Sequence, residues 1–471
     1  MKNFSARTTT LLTALLLMLA AGCEDYNDLN LEPVPTGNAD FSSYVAVGNS
    51  ITAGIQNNAL YESAQQYTYA HMLARQVRRS ESFSQPLISD PGIGERIELT
   101  SLDPLAVQRN QQQGQPYTQE QKPFSNLGVP GAVLVDFTNP GNQGQLKERA
   151  TNPNHPAFNP FYSIVLEGSE LQKDAPNVFN QLAKQEPTFV TFWMGNNDVL
   201  GYVLDGGEGR AITPPNQFSQ LYQASGQALA STGADVVVYN IPDVTTIPFV
   251  FYLRLQLQQQ GLIRLNDPDN EGPQPARYEL FDQESGNWYD IYIETDIGPR
   301  LMLQYDFPIL LAQTYVAQVQ AGQVAPPITP GNAIPDHLVL DGPAGGPLGS
   351  SELEQAAGAV QQYNAAIQGV ASANSFALVD INATFAQISE NFQTSGGTGG
   401  YSSDGLTLRP VPGELFSFDG VHPSNRGHAA VVNETIEVIN NTYGASIPPV
   451  DVSVIPEGLP QADKPVQTAS N

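Results

Sequence analysis

The chain has 471 residues, 41% hydrophobic and 14% charged, enough apolar material for one large domain or two and too much for a disordered chain. Its 47 acidic side chains outnumber 20 basic ones, for a formal charge of -27, which argues against nucleic acid or an anionic membrane surface as partner. One cysteine, Cys23, excludes an internal disulfide, so stability must come from packing.

In chain order, Lys2 and Arg7 precede an apolar run from Leu11 to Ala21, too short to span a bilayer and suited to a secretory signal. The run ends in Leu19-Ala20-Ala21-Gly22-Cys23. This resembles a bacterial lipoprotein signal, with Ala20 where leucine is usual. It implies that residues 1–22 are removed, that Cys23 carries the lipid, and that the protein is exported to the cell envelope, at the outer membrane. Membrane contact is then through that lipid alone. Residues 24–40 are acidic and contain Pro and Gly, as a flexible tether would.

Tyr44 to Val47 reads as a buried strand stopping at Gly48-Asn49-Ser50. A loop to about Glu62 and a helix over 64–77 are expected next, with His71 on or beside its apolar face as a packed core residue. Residues 81–121 read as an irregular excursion. Pro123 to Ala132 is a Gly/Pro-rich strand end entering a helix, and 137–162 is again loop-like. A helix over 175–184 leads to a strand from Pro187 to Met194, closed by Gly195-Asn196-Asn197-Asp198, and a helix over 217–233 to a strand over 234–241. This alternation predicts a doubly wound α/β fold, a mainly parallel sheet with helices on both faces.

The alternation breaks between Val250 and Pro347. Phe251 to Leu257 alternates apolar and polar, Gln283-Glu284-Ser285-Gly286-Asn287 reads as a hairpin turn, and Pro308 opens a helix through Val319. Residues 251–346 are therefore expected to be an insertion, either a cap over the site or an extension on the far side. A helix over 351–371, capped by Ser350 or Ser351, and a strand from Phe376 to Ile381 resume the main domain, spanning 41–250 and 347–445. Residues 446–471 read as a loose tail.

Four strand ends or turns carry residues suited to acyl transfer. A serine hydroxyl, Ser50, needs a base, and His422 is the residue type that titrates near neutral pH. Asp419, three places earlier across Gly420, is placed to orient that imidazole. The oxyanion needs fixed donors, which the N–H groups of Ser50 and Gly131 and the amide of Asn197 can supply. Together, Gly48-Asn49-Ser50, Asn126-Leu127-Gly128-Val129-Pro130-Gly131, Gly195-Asn196-Asn197-Asp198 and Asp419-Gly420-Val421-His422-Pro423 resemble, in order, the blocks of the SGNH or GDSL-like hydrolases.

That resemblance implies a flavodoxin-like three-layer fold and a serine esterase or lipase working through an acyl-enzyme on Ser50, with a small-molecule, glycan or lipid ester as substrate. It departs at Asn49, where the family has a structural Asp, which leaves shape but removes charge. The Gly-x-Ser-x-Gly elbow of ordinary α/β-hydrolases is absent, since Thr52 holds the second glycine's place. No cofactor is expected. A zinc site from Asp419, His422 and His428 lacks a known ligand spacing, and Asp198 reads as a loop cap rather than the triad acid. The rival reading is a non-catalytic binding or scaffolding lipoprotein that uses the aromatic insertion.

Overall fold

Five short strands rich in Val and aromatic residues form a parallel sheet: β1 (Tyr44–Gly48), β2 (Asn126–Gly128), β3 (Phe189–Trp193), β4 (Asp235–Tyr239) and β5 (Ala377–Val379). The computed structural model describes residues 33–102, 105–117, 123–138, 140–171, 173, 177–267, 275–283, 285–343 and 351–459. The signal, Cys23, most of the tether and residues 460–471 lie outside these. In space the strands run β2-β1-β3-β4-β5, all parallel. This order reverses direction between β1 and β3, and such a switch point opens a crevice beyond the carboxyl ends of the strands.

Because both faces are covered, strand residues are buried on both sides and β1 and β3 show no alternation at all. On one face pack α3 (Leu134–Thr138), α4 (Asn197–Leu204), α5 (Pro215–Ala230) and α6 (Glu352–Asn374). On the other lie α2 (Tyr69–Gln76) and α8 (Asn425–Tyr443), while α7 (Ile381–Thr394) follows edge strand β5. Ser351 caps α6 in a capping box with Glu354; Ser350 is outside the described residues. The doubly wound α/β expectation therefore holds.

Several local expectations do not. The chain after β1 is not a loop: α1 (Ser50–Ala53) begins at once, with the Asn49 side chain accepting from Ile51 N. The helix expected over 64–77 is two pieces, Glu62–Gln65 and α2, the second started by the Thr68 side chain. The excursion holds an antiparallel pair, Arg96–Leu102 with Leu105–Asn110, and 137–162 contains the helices Pro140–Thr151 and Phe161–Val165.

Within the insertion, Phe251 to Leu257 belongs to a helix, Pro248–Gln259, whose buried residues Val250, Leu253 and Leu257 keep helical spacing. Pro248 at its first turn and the straight-chain Leu, Gln and Arg residues outweigh the local alternation. The hairpin does form, with Phe281 opposite Trp288, and Ile263–Asn266 adds a third strand. Pro308 itself lies in a short strand, Phe307–Pro308, and a 3-10 turn at Leu310–Ala312 precedes the helix Gln313–Gln320. These elements share a core of their own, including Leu257, Tyr278, Ile293 and Met302. The start of the expected loose tail is packed: Ile447 and Val450 are buried, and their N–H groups donate to Asn440 and Asn433 of α8. Among the described residues no helix is long and apolar enough to cross a membrane.

Candidate active site

Ser50 stands where β1 ends and α1 begins. Gly48 is required there by close approach: a Cβ would lie 2.0 Å from Thr52 Oγ1 and 2.8 Å from the Trp193 carbonyl oxygen. As the first residue of a helix, Ser50 has an N–H without an intrahelical acceptor. Ser50 is 7% exposed and lines a cleft to which Asn197 and His422 also contribute.

His422 Nε2 lies 2.9 Å from Ser50 Oγ, and His422 Nδ1 lies 3.0 Å from Asp419 Oδ2. Asp419 Oδ1 accepts the N–H groups of Val421 and His422, both at 2.9 Å. Burial alone would raise the Asp419 carboxyl, but His422 and these amides hold it down to about 2. An ionised carboxylate only accepts, so the Nδ1 of His422 that faces Asp419 carries a proton, and Nε2 is the ring nitrogen turned to Ser50 Oγ.

Sequence reasoning missed what holds Asp419. Asn57 and Asn58 are consecutive left-handed residues, with φ of 52° and 63°. Their turn aims Asn58 N–H at Asp419 Oδ2 over 2.9 Å, while Asn57 Oδ1 accepts from Phe418 N and Asn57 N donates to Ser417 Oγ. The available signal was the Asn-Asn pair itself, since Asn tolerates this conformation. Phe249 N–H donates to the Gly420 carbonyl over 2.9 Å, so the start of the helix that leads into the insertion braces the turn.

Asn197 opens α4, and its Nδ2 donates to the Ala132 carbonyl over 2.8 Å, tying the β3 end to the segment that follows β2. Gly131 lies in that segment with φ +73°, exposed, and its N–H is donated to no other described residue. Asp198 does more than cap its own loop: it accepts from Leu134 N at the start of α3 and from Thr213 Oγ1. Burial, with Asp136 nearby, pushes its carboxyl up to about 7. Asn49, 1% exposed, donates through Nδ2 to Asn196 Oδ1 over 3.1 Å.

The remaining histidines are elsewhere. His428 is fully buried against Tyr69, whose N–H it accepts at Nδ1 over 3.3 Å, and burial, reinforced by His422, lowers it to about 3. It does not line the Ser50 cleft. His71 is half-buried beside Gln85, and burial lowers it to about 4. No residue of the insertion lines that cleft among the described residues; its walls come from the end of β3 and α4, from the segment after β4, from Leu415 and Phe416, and from α7 and α8. The aromatic residues of 278–293 thus belong to the insertion's own core and surface rather than to the Ser50 site.

The sequence model of GDSL-like lipases/acylhydrolases matches residues 44–295, more than half of the chain. No curated protein matches the sequence significantly. Among solved structures the chain is similar to an acetyl xylan esterase, AlAXEase, at 12% identity, 84% coverage of this chain and 98% of that one, TM-score 0.32. It is also similar to LAE5, an alpha/beta hydrolase enzyme from the metagenome of Lake Arreo, Spain, at 13% identity, 85% and 96% coverage and TM-score 0.33. A third, BT4096, a gut microbial diltiazem-metabolizing enzyme, has 11% identity, 86% and 49% coverage and TM-score 0.30. With the family match over the segment from β1 into the insertion, the chain belongs to the GDSL-like lipase/acylhydrolase family and is an ester-hydrolysing enzyme.

Proposed function

We propose that this protein is a serine esterase that works through an acyl-enzyme on Ser50 and is held at the cell envelope by lipid on Cys23. The observation that carries the catalytic part is the continuous hydrogen-bonded line from Ser50 Oγ through His422 to Asp419. As Ser50 Oγ bonds to the ester carbonyl carbon, its proton passes to His422 Nε2, and Asp419 stabilises the imidazolium. The carbonyl oxygen, now an anion, takes hydrogen bonds from Ser50 N–H, Gly131 N–H and the Asn197 amide. His422 then protonates the departing alkoxide as the carbon–oxygen bond breaks. Water repeats the sequence with His422 as base, releasing the carboxylic acid and restoring Ser50.

The test is labelling by a fluorophosphonate together with turnover of a short acyl ester. Both are expected in the wild type and neither in Ser50→Ala at unchanged melting temperature; hydrolysis persisting in Ser50→Ala would end the proposal. For the anchor, the Leu19 to Cys23 run is the support. Metabolic incorporation of a labelled fatty acid should occur in the wild type and be lost in Cys23→Ser.

A further inference from the structure

We propose that Asn57 is a positioning residue for the hydrolysis: with Asn58 it holds Asp419 in register with His422, and the strand pair Arg96–Leu102 and Leu105–Asn110 is the brace that holds Asn57. This rests on the Ser50 reading above.

The two asparagines make one hydrogen bond to each of three consecutive residues. Asn57 N–H donates to Ser417 Oγ, Phe418 N–H donates to Asn57 Oδ1, and Asn58 N–H donates to Asp419 Oδ2, each over 2.9 Å. Ser417 N–H in turn donates to the His422 carbonyl over 2.8 Å, so the gripped segment is the one that closes the Asp419–His422 turn. Asp419 Oδ1 accepts from the turn's own amides, those of Val421 and His422. The Asn58 bond instead ties Oδ2 to a part of the chain 361 positions away, and so fixes the carboxylate against swinging as it meets His422 Nδ1.

Asn57 is committed on every side. Besides its bonds to Ser417 and Phe418, its carbonyl accepts from Ile97 N over 2.8 Å and its Nδ2 donates to Tyr61 Oη over 2.8 Å. The residue is buried, with its backbone left-handed. Glycine shares that backbone freedom but has neither side-chain group, and aspartate lacks the donor. A buried donor, a buried acceptor and a positive φ at one position together select asparagine.

The brace gives a role to the excursion between α2 and β2. Its first long strand supplies Ile97 N–H to Asn57, and Ile97 and Leu99 form a buried cluster with Phe418. Arg96, from the same strand, sets its guanidinium 5.0 Å from the centre of the Tyr61 ring and pairs with the buried Glu98 over 2.6 Å. Contacts thus run from Glu98 through Arg96, Tyr61 and Asn57 to the residues beside Asp419.

The experiment uses the full chain and measures kcat and KM for a p-nitrophenyl ester, fluorophosphonate labelling of Ser50 and melting temperature. The proteins compared are the wild type, Asn57→Gly, Asp419→Asn and the double variant. Asn57→Gly keeps the turn and its two backbone bonds and deletes only the side-chain grip. kcat should fall between about tenfold and a hundredfold, as when a reacting group is displaced by about 1 Å, with KM within about twofold. In the Asp419→Asn background the same substitution should cost less than about threefold, because a residue that acts through Asp419 has nothing left to act on. Tyr61→Phe removes the acceptor of Asn57 Nδ2 and keeps the ring beside Arg96; if Asn57→Gly folds poorly, this variant should show the same loss and the same dependence on Asp419. Equal losses in the two backgrounds would leave Asn57 a structural residue only, and wild-type kcat in Asn57→Gly would release it altogether. Either result overturns the inference, while labelling and turnover in the wild type leave the hydrolase reading standing. A wild type neither labelled nor active would overturn both.

Discussion

His422 Nε2 stands 2.9 Å from Ser50 Oγ although 372 positions separate the two residues in the chain. The contact depends on β1 delivering Ser50 to the carboxyl edge of the sheet and on the Asp419 turn being clamped from two sides, by Asn58 N–H on its carboxylate and Phe249 N–H on Gly420.

Asp419→Asn tests the far end of this line. The amide keeps the size of the carboxylate but can present a donor to Nδ1, which favours the wrong imidazole tautomer. kcat for an activated ester should fall on the order of a thousandfold or more, with the far-ultraviolet circular dichroism unchanged. A fall of less than tenfold would mean that His422 does not depend on Asp419.

Asn197→Ala removes one proposed oxyanion donor. Turnover should drop on the order of a hundredfold or more while KM changes little, because the interaction strengthens only as negative charge develops. The Ala132 carbonyl also loses its partner, so a small loss of thermal stability is expected alongside. Wild-type kcat in this variant would remove Asn197 from the site.

Asn49→Asp restores the acid that the family resemblance leads one to expect. One oxygen can still accept from Ile51 N, and Asn196 can turn its amide to donate to the other. Turnover should stay within about tenfold of the wild type, since a hydrogen bond is exchanged rather than lost. Asn49→Leu removes the cap and should cost about 1 kcal/mol or more of stability. Equal melting temperatures for the wild type and Asn49→Leu would show that the cap contributes nothing.

Stability should decline as pH rises from about 4 to 8. The Asp198 carboxyl is raised from an ordinary 3.8 to about 7 by burial, with Asp136 nearby adding to it. Its folded form thus binds a proton more tightly than its unfolded form, and the resulting stabilisation is complete below the lower value and lost as pH rises through the upper one. Glu352, raised by burial to about 8, acts in the same direction. Asp419, held at about 2, acts oppositely only below pH 3.8, whereas His71 and His428, lowered by burial to about 4 and 3, act oppositely up to about pH 6.5 and offset part of the decline below that value. The melting temperature should be lower at pH 8 than at pH 5, and Asp198→Asn should reduce that difference; an unchanged difference would assign the slope to other groups.

Much of the fold was legible because it is written in short-range pattern. Runs such as Tyr44–Gly48 and Phe189–Trp193, apolar on both faces, identify covered parallel strands, and Ser351 with Glu354 marks the start of α6. Where pattern misled, as at Phe251 to Leu257, the alternation was a few residues long and the helix was decided by burial of Val250, Leu253 and Leu257 in a core assembled from distant strands. The insertion's separation from the Ser50 cleft was not legible either, since whether a segment covers a site depends on where its two ends enter the fold.

By itself the sequence determined which chemical groups this protein possesses, in what order, and that each follows or opens an element of an α/β sheet; local backbone preference and side-chain periodicity are enough for that. Only the tertiary structure decided that the Asn57-Asn58 turn grips Asp419, that Asp198 reaches Leu134, and that α7 and α8 rather than the insertion wall the cleft. Those contacts join positions from 64 to 361 residues apart or more. Their distances follow from how whole elements pack, which no local window of residues contains.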